Sequence, residues 1–208
     1  MKVNTIMSRM LNSNMYVISE NGRNVLVDPC VAEIEIDNVD YILLTHEHYD
    51  HISGVNWWRE KTGAKVVASN ACTRGCADPR RNFSRYFESF CDIQTWLIDY
   101  KVPKVEDYVC EVDVTFENSY FIKWEGHELI IRECPGHSLG SCLIFVDDEI
   151  VFSGDSIFKN VKTECGFPGG SKKAWLEKGL PLIEELKNNY VVYPGHFDCF
   201  DFKDRFKE

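Results

Sequence analysis

Residues 45–51 read Thr-His-Glu-His-Tyr-Asp-His. Half of the chain's six histidines, His46, His48 and His51, stand here with Asp50 among them. Neutral imidazole nitrogen and carboxylate oxygen are the donors that hold zinc, iron or manganese. Later positions repeat the theme. His137 follows Cys134-Pro135-Gly136, Asp155 follows Val151-Phe152-Ser153-Gly154, and His196 follows Val191-Val192-Tyr193-Pro194-Gly195. Each comes after an apolar strand and a glycine that lets the backbone turn sharply. Asp28, after Val25-Leu26-Val27, is a similar strand-end carboxylate without the glycine. Loops leaving a rigid sheet edge are where function concentrates. Seven donors are too many for one tetrahedral ion and suit two divalent ions roughly 3.5–4 Å apart that share a bridge.

Such donors need a rigid frame, and the flanking pattern supplies one. Met15 to Ile18 and Val25 to Val27 flank Asn21-Gly22, a hairpin signal. Tyr41 to Leu44 is a continuous apolar run that reads as a buried strand ending at the histidine cluster. Ile52 to Thr62 reads as a helix stopped by Gly63, and Lys65 to Ala68 as a short strand. Ala71 to Cys76 reads as a helical turn. The stretch at about 77–111 is polar and aromatic, with Arg81, Phe83, Arg85, Tyr86, Phe87, Trp96, Leu97 and Lys101. It reads as an insertion or lid, whose aromatics and arginines would suit an anionic substrate. Strands return from Val112 onward: Tyr120 to Trp124, Leu129 to Arg132, Ser141 to Val146, Ile150 to Phe152 and Tyr190 to Tyr193. Ser171 to Asn188 reads as a helix with Ser171 as N-cap and Pro181 as a kink or break. The order suits a single domain over residues 1–208, an α/β chain with two mixed sheets packed together and helices outside.

The chain has 208 residues, 44% hydrophobic and 27% charged, an ordinary globular composition. Its net charge of -10 disfavours a nucleic-acid partner. No signal peptide and no membrane span are legible, so the expected compartment is the cytoplasm. Nine cysteines in a cytosolic chain are expected to be reduced thiols. Cys72 and Cys76 are four apart and share a helix face, but the pattern favours packing over metal binding. His127, in Glu125-Gly126-His127, reads as a solvated turn residue. Glu47 and Tyr49 are expected to point away from the metals, with Tyr49 a candidate for the pocket lining. The oligomeric state is not legible.

Thr45 to His51 resembles the H-x-H-x-D-H signature of the metallo-β-lactamase fold superfamily. Pro135-Gly136-His137-Ser138, Ser153-Gly154-Asp155-Ser156 and Tyr193-Pro194-Gly195-His196 resemble its later metal motifs, in the same order. Val27-Asp28-Pro29 resembles the aspartate turn before the signature. The resemblance spans about residues 3–200 and is nearest to glyoxalase II-like hydrolases, through Gly154 to Phe158 and Phe167 to Ser171. It implies a four-layer αββα sandwich with the site at one sheet edge. It implies that His46, His48 and His137 hold one metal and that Asp50, His51 and His196 hold the other. Asp155 would bridge them, and Asp28 would sit behind, orienting a ligand imidazole. The expected cofactor is a pair of divalent ions, zinc first, with iron or manganese as alternatives.

The implied activity is hydrolysis of a small-molecule thioester, lactone or related ester by a metal-bound hydroxide that Asp50 orients. Three departures stand out: Cys134 where threonine is common, Cys30 where glycine is common, and no C-terminal helical domain of the kind that binds glutathione. The last disfavours a glutathione thioester. An iron-dependent persulfide dioxygenase-like oxidoreductase is the first alternative and a phosphodiester or RNA-processing hydrolase the second. His48 in place of a carboxylate disfavours a flavodiiron reading.

Overall fold

In a computed structural model of the chain, residues 1–93 and 104–205 are described. Trp96, Leu97 and Lys101, which belong to the expected insert, lie outside the described residues.

Two six-stranded sheets carry the fold. The first runs in spatial order β1 (Lys2–Met7), β2 (Asn14–Glu20), β3 (Arg23–Val27), β4 (Val39–Leu43), β5 (Lys65–Ser69) and β6 (Val114–Phe116). Its first three strands pair antiparallel and the rest are parallel. The second sheet has the order β12 (Phe200–Asp201), β11 (Val191–Pro194), β10 (Ile150–Gly154), β9 (Cys142–Val146), β8 (His127–Glu133) and β7 (Ser119–Trp124). Only β10 and β11 pair in parallel there.

The apolar runs are continuous because both faces of the central strands are buried. Side chains alternate along a strand, so neighbours enter different cores. Tyr16, Ile18, Val25, Val27, Leu43 and Val67 meet Ile122, Leu129, Ile131, Ile144 and Phe152 between the sheets. Met15, Val17, Leu26, Ile42 and Val66 face outward onto helices that include α2 (Val55–Thr62) and α3 (Asn70–Cys76). On the far side Leu143, Phe145 and Val192 pack with Leu182 and Ile183 of α6 (Leu180–Glu184). Helix, sheet, sheet and helix therefore form the four expected layers. Each fully buried Leu, Ile or Val contributes on the order of 1.5–3 kcal/mol before the entropy of ordering is subtracted.

The helix boundaries differ from the sequence expectation. The span 52–62 is two helices, α1 (Tyr49–Ile52) and α2. They break at Ser53-Gly54, where the Gly54 N–H is drawn out to the Pro29 carbonyl at 2.9 Å. Asp50 and His51 thus lie on a helical turn, not in a loop. The expected helix over 171–188 divides into α5 (Lys172–Ala174), a π-helical turn at Trp175–Gly179 and α6. Pro181 has no N–H, which spoils a regular ladder at that point. Ser171 caps α5 as expected, accepting from the Ala174 N–H at 3.2 Å. Strands β1 and β12 were not legible: β1 is a half-exposed edge strand and β12 has two residues.

Within the described part of the insert, a 3₁₀ turn (Ser84–Tyr86) leads into α4 (Phe87–Asp92). Phe87 is fully buried, and Arg85 pairs with Asp107 instead of facing a ligand. The Cys72 and Cys76 thiols lie 4.0 Å apart on one face of α3, both buried. All nine cysteines are free.

Candidate metal centre

The site forms where the ends of both sheets meet. Strand β4 delivers the chain to Thr45, whose N–H donates to Asp28 Oδ1 at 2.7 Å. Asp28 reaches it by leaving β3 in a left-handed conformation (φ 49°), with its N–H on the Leu43 carbonyl. The loop between β8 and β9 carries His137, and the Cys142 N–H bonds the Thr45 carbonyl at 2.7 Å, tying that loop to the first cluster. Gly154 (φ 47°) closes β10; a Cβ there would lie 2.3 Å from Thr45 Oγ1. Gly195 precedes His196; a Cβ there would lie 2.2 Å from Asp155 Oδ1 and 2.8 Å from His51 Cε1. These two glycines let Asp155 and His196 reach the early cluster.

All eight residues singled out in the sequence converge. Three sets of donor atoms each lie within 4.8 Å of one another: His46, His48 and His137; Asp50, His51 and His196; and Asp28, His46 and His51. Asp155 stands between the first two sets. Its Oδ2 is 3.4 Å from His137 Nε2 and 3.5 Å from His196 Nε2, and its Oδ1 is 3.6 Å from His51 Nε2. Asp50 Oδ2 is 3.3 Å from His51 Nε2 and 3.5 Å from His196 Nε2.

The outward hydrogen bonds assign the tautomers, because a carbonyl can only accept. His48 Nε2–H donates to the Pro168 carbonyl at 2.9 Å, His137 Nδ1–H to the Glu164 carbonyl at 2.9 Å, and His196 Nδ1–H to the Leu11 carbonyl at 3.1 Å. Thr45 Oγ1 donates to Asp28 Oδ2 and so accepts from His46 Nδ1 at 3.0 Å. As neutral rings, His46, His48, His137 and His196 each turn the remaining nitrogen's lone pair inward, and His51, whose Nδ1 faces Asp28 Oδ2 at 3.7 Å, turns that of Nε2. His46 Nε2, both nitrogens of His51 and Asp155 Oδ1 are buried without a hydrogen-bond partner. His48 Nδ1 and His137 Nε2 face each other at 2.9 Å, lone pair against lone pair. That approach is repulsive unless a cation lies between them, and burial pushes His137 down to about 4, which disfavours a proton there. The donor set therefore fits divalent cations.

Without an ion, the Asp50 and Asp155 carboxylates favour a proton on His196 where a cation would otherwise balance their charge. Burial lowers His196, but the Asp155 and Asp50 carboxylates outweigh it and raise the ring to about 9. Burial raises Asp50 and Asp155, yet the surrounding imidazoles hold both below the usual carboxylate range. Burial lifts Asp28 to about 6, with His51 and the Thr45 bonds acting against it, so it is ionised at neutral pH.

Two groups that position the donors were not singled out in the sequence. Ser13 Oγ donates to Asp50 Oδ2 at 2.6 Å, and Ser13 bridges to His196 across the strand ends. A serine between two asparagines carries no sequence signal. Ser13→Ala is expected to lower kcat/KM by about 10-fold or more with ion content retained, read by steady-state kinetics beside metal analysis. Thr45, at the head of the cluster, links Asp28 to His46 through its hydroxyl. Glu47 points away, as expected, into a fully buried site where Ser138 Oγ donates to it at 2.7 Å. Tyr49 does not line the cleft; its ring packs on Phe87 and Tyr108. His127 stands apart, its Nδ1 against the Asp147 carboxylate. Above the donors opens a cleft of about 570 Å³ with Phe83, Phe90, Phe167 and Phe197 in its walls.

Comparison with known proteins gives concordant results. The model of the metallo-beta-lactamase superfamily matches residues 9–196. A hydroxyacylglutathione hydrolase of Pelagibacter ubique (strain HTCC1062) is 28% identical over 199 residues, 90% of this chain and 68% of that protein. Several other proteins of that name are matched over about half their length, as in Rhodopseudomonas palustris (strain HaA2), 25% identical with 81% of this chain and 53% of that protein covered. Among solved structures, the BLEG-1 B3 metallo-beta-lactamase has a TM-score of 0.76 at 20% identity, with 98% of this chain and 95% of that one covered. TTHA1623 in a di-iron-bound form has a TM-score of 0.69 at 21% identity, with 97% and 96% covered. At these identities the two structures bear on the fold alone.

Proposed function

The chain belongs to the metallo-beta-lactamase superfamily, and on that footing we propose that it is a dinuclear metallo-hydrolase of a small-molecule thioester, lactone or related ester. His46, His48 and His137 would hold one ion, Asp50, His51 and His196 the other, and Asp155 both. The observation that carries this reading is the inward, unpartnered set of lone pairs on buried imidazoles. Zinc is the first choice; iron or manganese suits the same donors. Bound ions would supply Lewis acidity and bring the pKa of water from about 15.7 to about 7.

The chain's own residues do the rest. Ser13 holds one oxygen of Asp50, which leaves the other to orient the attacking water and take its proton. Asp28, through Thr45 and His51, keeps His46 and His51 in the tautomers that present a lone pair inward. The aromatic walls restrict water to the reacting face. Residues 77–93 of the insert supply one of these walls, through Phe83 and Phe90.

The proposed compartment is the cytoplasm, supported by nine free cysteines. Among the described residues no helix is long and apolar enough to cross a membrane. The net charge of -10 supports a small-molecule partner over a nucleic acid.

The test is turnover of a panel of thioesters, lactones and phosphoesters by protein loaded separately with zinc, iron and manganese, with oxygen uptake on a persulfide as the counter-assay. Thioester or lactone hydrolysis at neutral pH, abolished by chelation, is expected. Oxygen uptake without hydrolysis would replace this reading with the dioxygenase one, and phosphodiester cleavage alone with the nuclease one.

A further inference from the structure

The cleft walls have a chemistry of their own. On one side Phe83, Phe90 and Phe167 form a mutual aromatic cluster, with ring centroids 5.1, 5.7 and 6.1 Å apart. This wall reaches the donors: Phe167 lies 5.8 Å from the His137 ring and Phe83 lies 6.1 Å from His48. On the other side Phe197 packs on Phe158 at 5.7 Å and reaches His196 at 6.4 Å. Leu11 and Met7 extend this side. Phe197 and Met7 are 69% and 64% exposed, although both are apolar.

The walls carry no charged side chain among the described residues. Among the described residues no lysine or arginine lines the cleft, and the carboxylates of Asp50 and Asp155 do. Of the two insert arginines that flank Phe83, Arg85 is engaged with Asp107 and Arg81 does not line the cleft. Beyond the donor cluster, a carboxylate on a substrate tail would meet no counter-charge among the described residues.

The walls are also held in place. Leu11 (φ 53°), Asn12 (φ 57°), Phe83 (φ 73°) and Phe197 (φ 69°) all take the left-handed backbone region. Non-glycine residues persist there only where surrounding structure compels it, and such positions gather at ligand sites. The compelling groups are two buried asparagines. Asn82 Oδ1 accepts the Ser84 N–H at 2.9 Å while its amide donates to the Tyr108 carbonyl at 2.7 Å, which secures the turn at Phe83. Asn14 Nδ2 donates to the Phe197 carbonyl at 2.7 Å and secures the turn opposite. Both asparagines are at most 3% exposed.

We infer that the substrate carries an uncharged, apolar chain or ring that is clasped between Phe83, Phe90 and Phe167 on one wall and Phe197 on the other. This rests on the hydrolase reading for the chemistry, but the recognition is a property of the cleft alone. Preorganised aromatic walls over a polar floor are how small-molecule sites divide affinity from orientation. Phe90 and Phe197 are the positions that set the preference for chain length.

The test uses the metal-loaded protein with neutral N-acetylcysteamine thioesters from acetyl to decanoyl, and the succinyl thioester as an anionic control. In parallel, calorimetry measures binding of neutral N-alkylacetamides of rising chain length. The expected kcat/KM rises about fourfold per methylene up to the length the cleft holds, and the succinyl ester falls at least 10-fold below its butyryl counterpart. Phe90→Ala and Phe197→Ala flatten the chain-length slope in both assays. Hydrolysis without chain-length dependence, or with a preference for the succinyl ester, overturns the inference and leaves the hydrolase reading standing. Chain-dependent amide binding without hydrolysis sustains the inference and removes the hydrolase reading. Amide binding that does not respond to chain length overturns the inference whatever the turnover.

Discussion

Asp50→Asn is expected to lower kcat for the best thioester or lactone by on the order of 10²–10⁴-fold, the range that a positioned proton acceptor contributes. Asparagine keeps the shape of the side chain and can still accept the hydroxyl of Ser13, which donates to Asp50 at 2.6 Å. What it loses is the negative charge and the ability to take a proton. The charge matters because Asp50 is buried beside His51 and His196, whose rings hold it ionised against the cost of burial. The fold is expected to survive, since Asp50 lies on the short α1 turn and contributes no apolar core contact. Steady-state kinetics, circular dichroism and metal analysis on one preparation make the check. Near wild-type turnover at full ion occupancy would remove Asp50 from the role assigned to it.

Stripping the ions is the second large effect. Without a cation, His48 Nδ1 and His137 Nε2 oppose two lone pairs at 2.9 Å, and Asp50 and Asp155 both lie 3.5 Å from one nitrogen of His196. Divalent ions relieve the first conflict and neutralise the carboxylates. An ion held at 1,000 times its dissociation constant stabilises the folded state by about 4 kcal/mol. For a chain of this size each kcal/mol moves Tm by roughly 2–4 °C. Loss of one such ion is therefore expected to lower Tm by roughly 8–16 °C, and chelation of both to lower it by at least that much and to abolish turnover, with stability and turnover restored on adding the ions back. Differential scanning calorimetry with and without chelator reads this. A Tm indifferent to chelation would mean that the cluster is satisfied without metal.

Much of this site was legible because its residues mark the ends of buried strands. The runs before Thr45, Asp155 and His196 are apolar on successive residues because the two sheet faces meet different cores, and such runs end abruptly where the chain leaves the sheet. Histidines and aspartates at those ends have few reasons to be there other than chemistry. The groups that hold the donors were harder to read. Ser13 acts through a hydrogen bond to a residue 37 positions later and a bridge to one 183 positions later, and no local pattern announces either pairing. The break at Gly54 depends on a carbonyl 25 residues earlier, so helical periodicity alone ran the two helices together. The insert showed the right residue types but not their partners. Arg85 was expected over the substrate and instead pairs with Asp107, while Phe90 and Phe197, not singled out in the sequence, form the walls.

The most direct measurement is anomalous scattering from crystals of the metal-loaded protein, collected at the absorption edge of the bound element. Two peaks per chain are predicted, one within coordinating distance of His46, His48 and His137 and one within reach of Asp50, His51 and His196, with Asp155 touching both. A metal-loaded crystal whose peaks lie elsewhere, or that shows none at these side chains, would contradict the dinuclear centre and the hydrolase built on it.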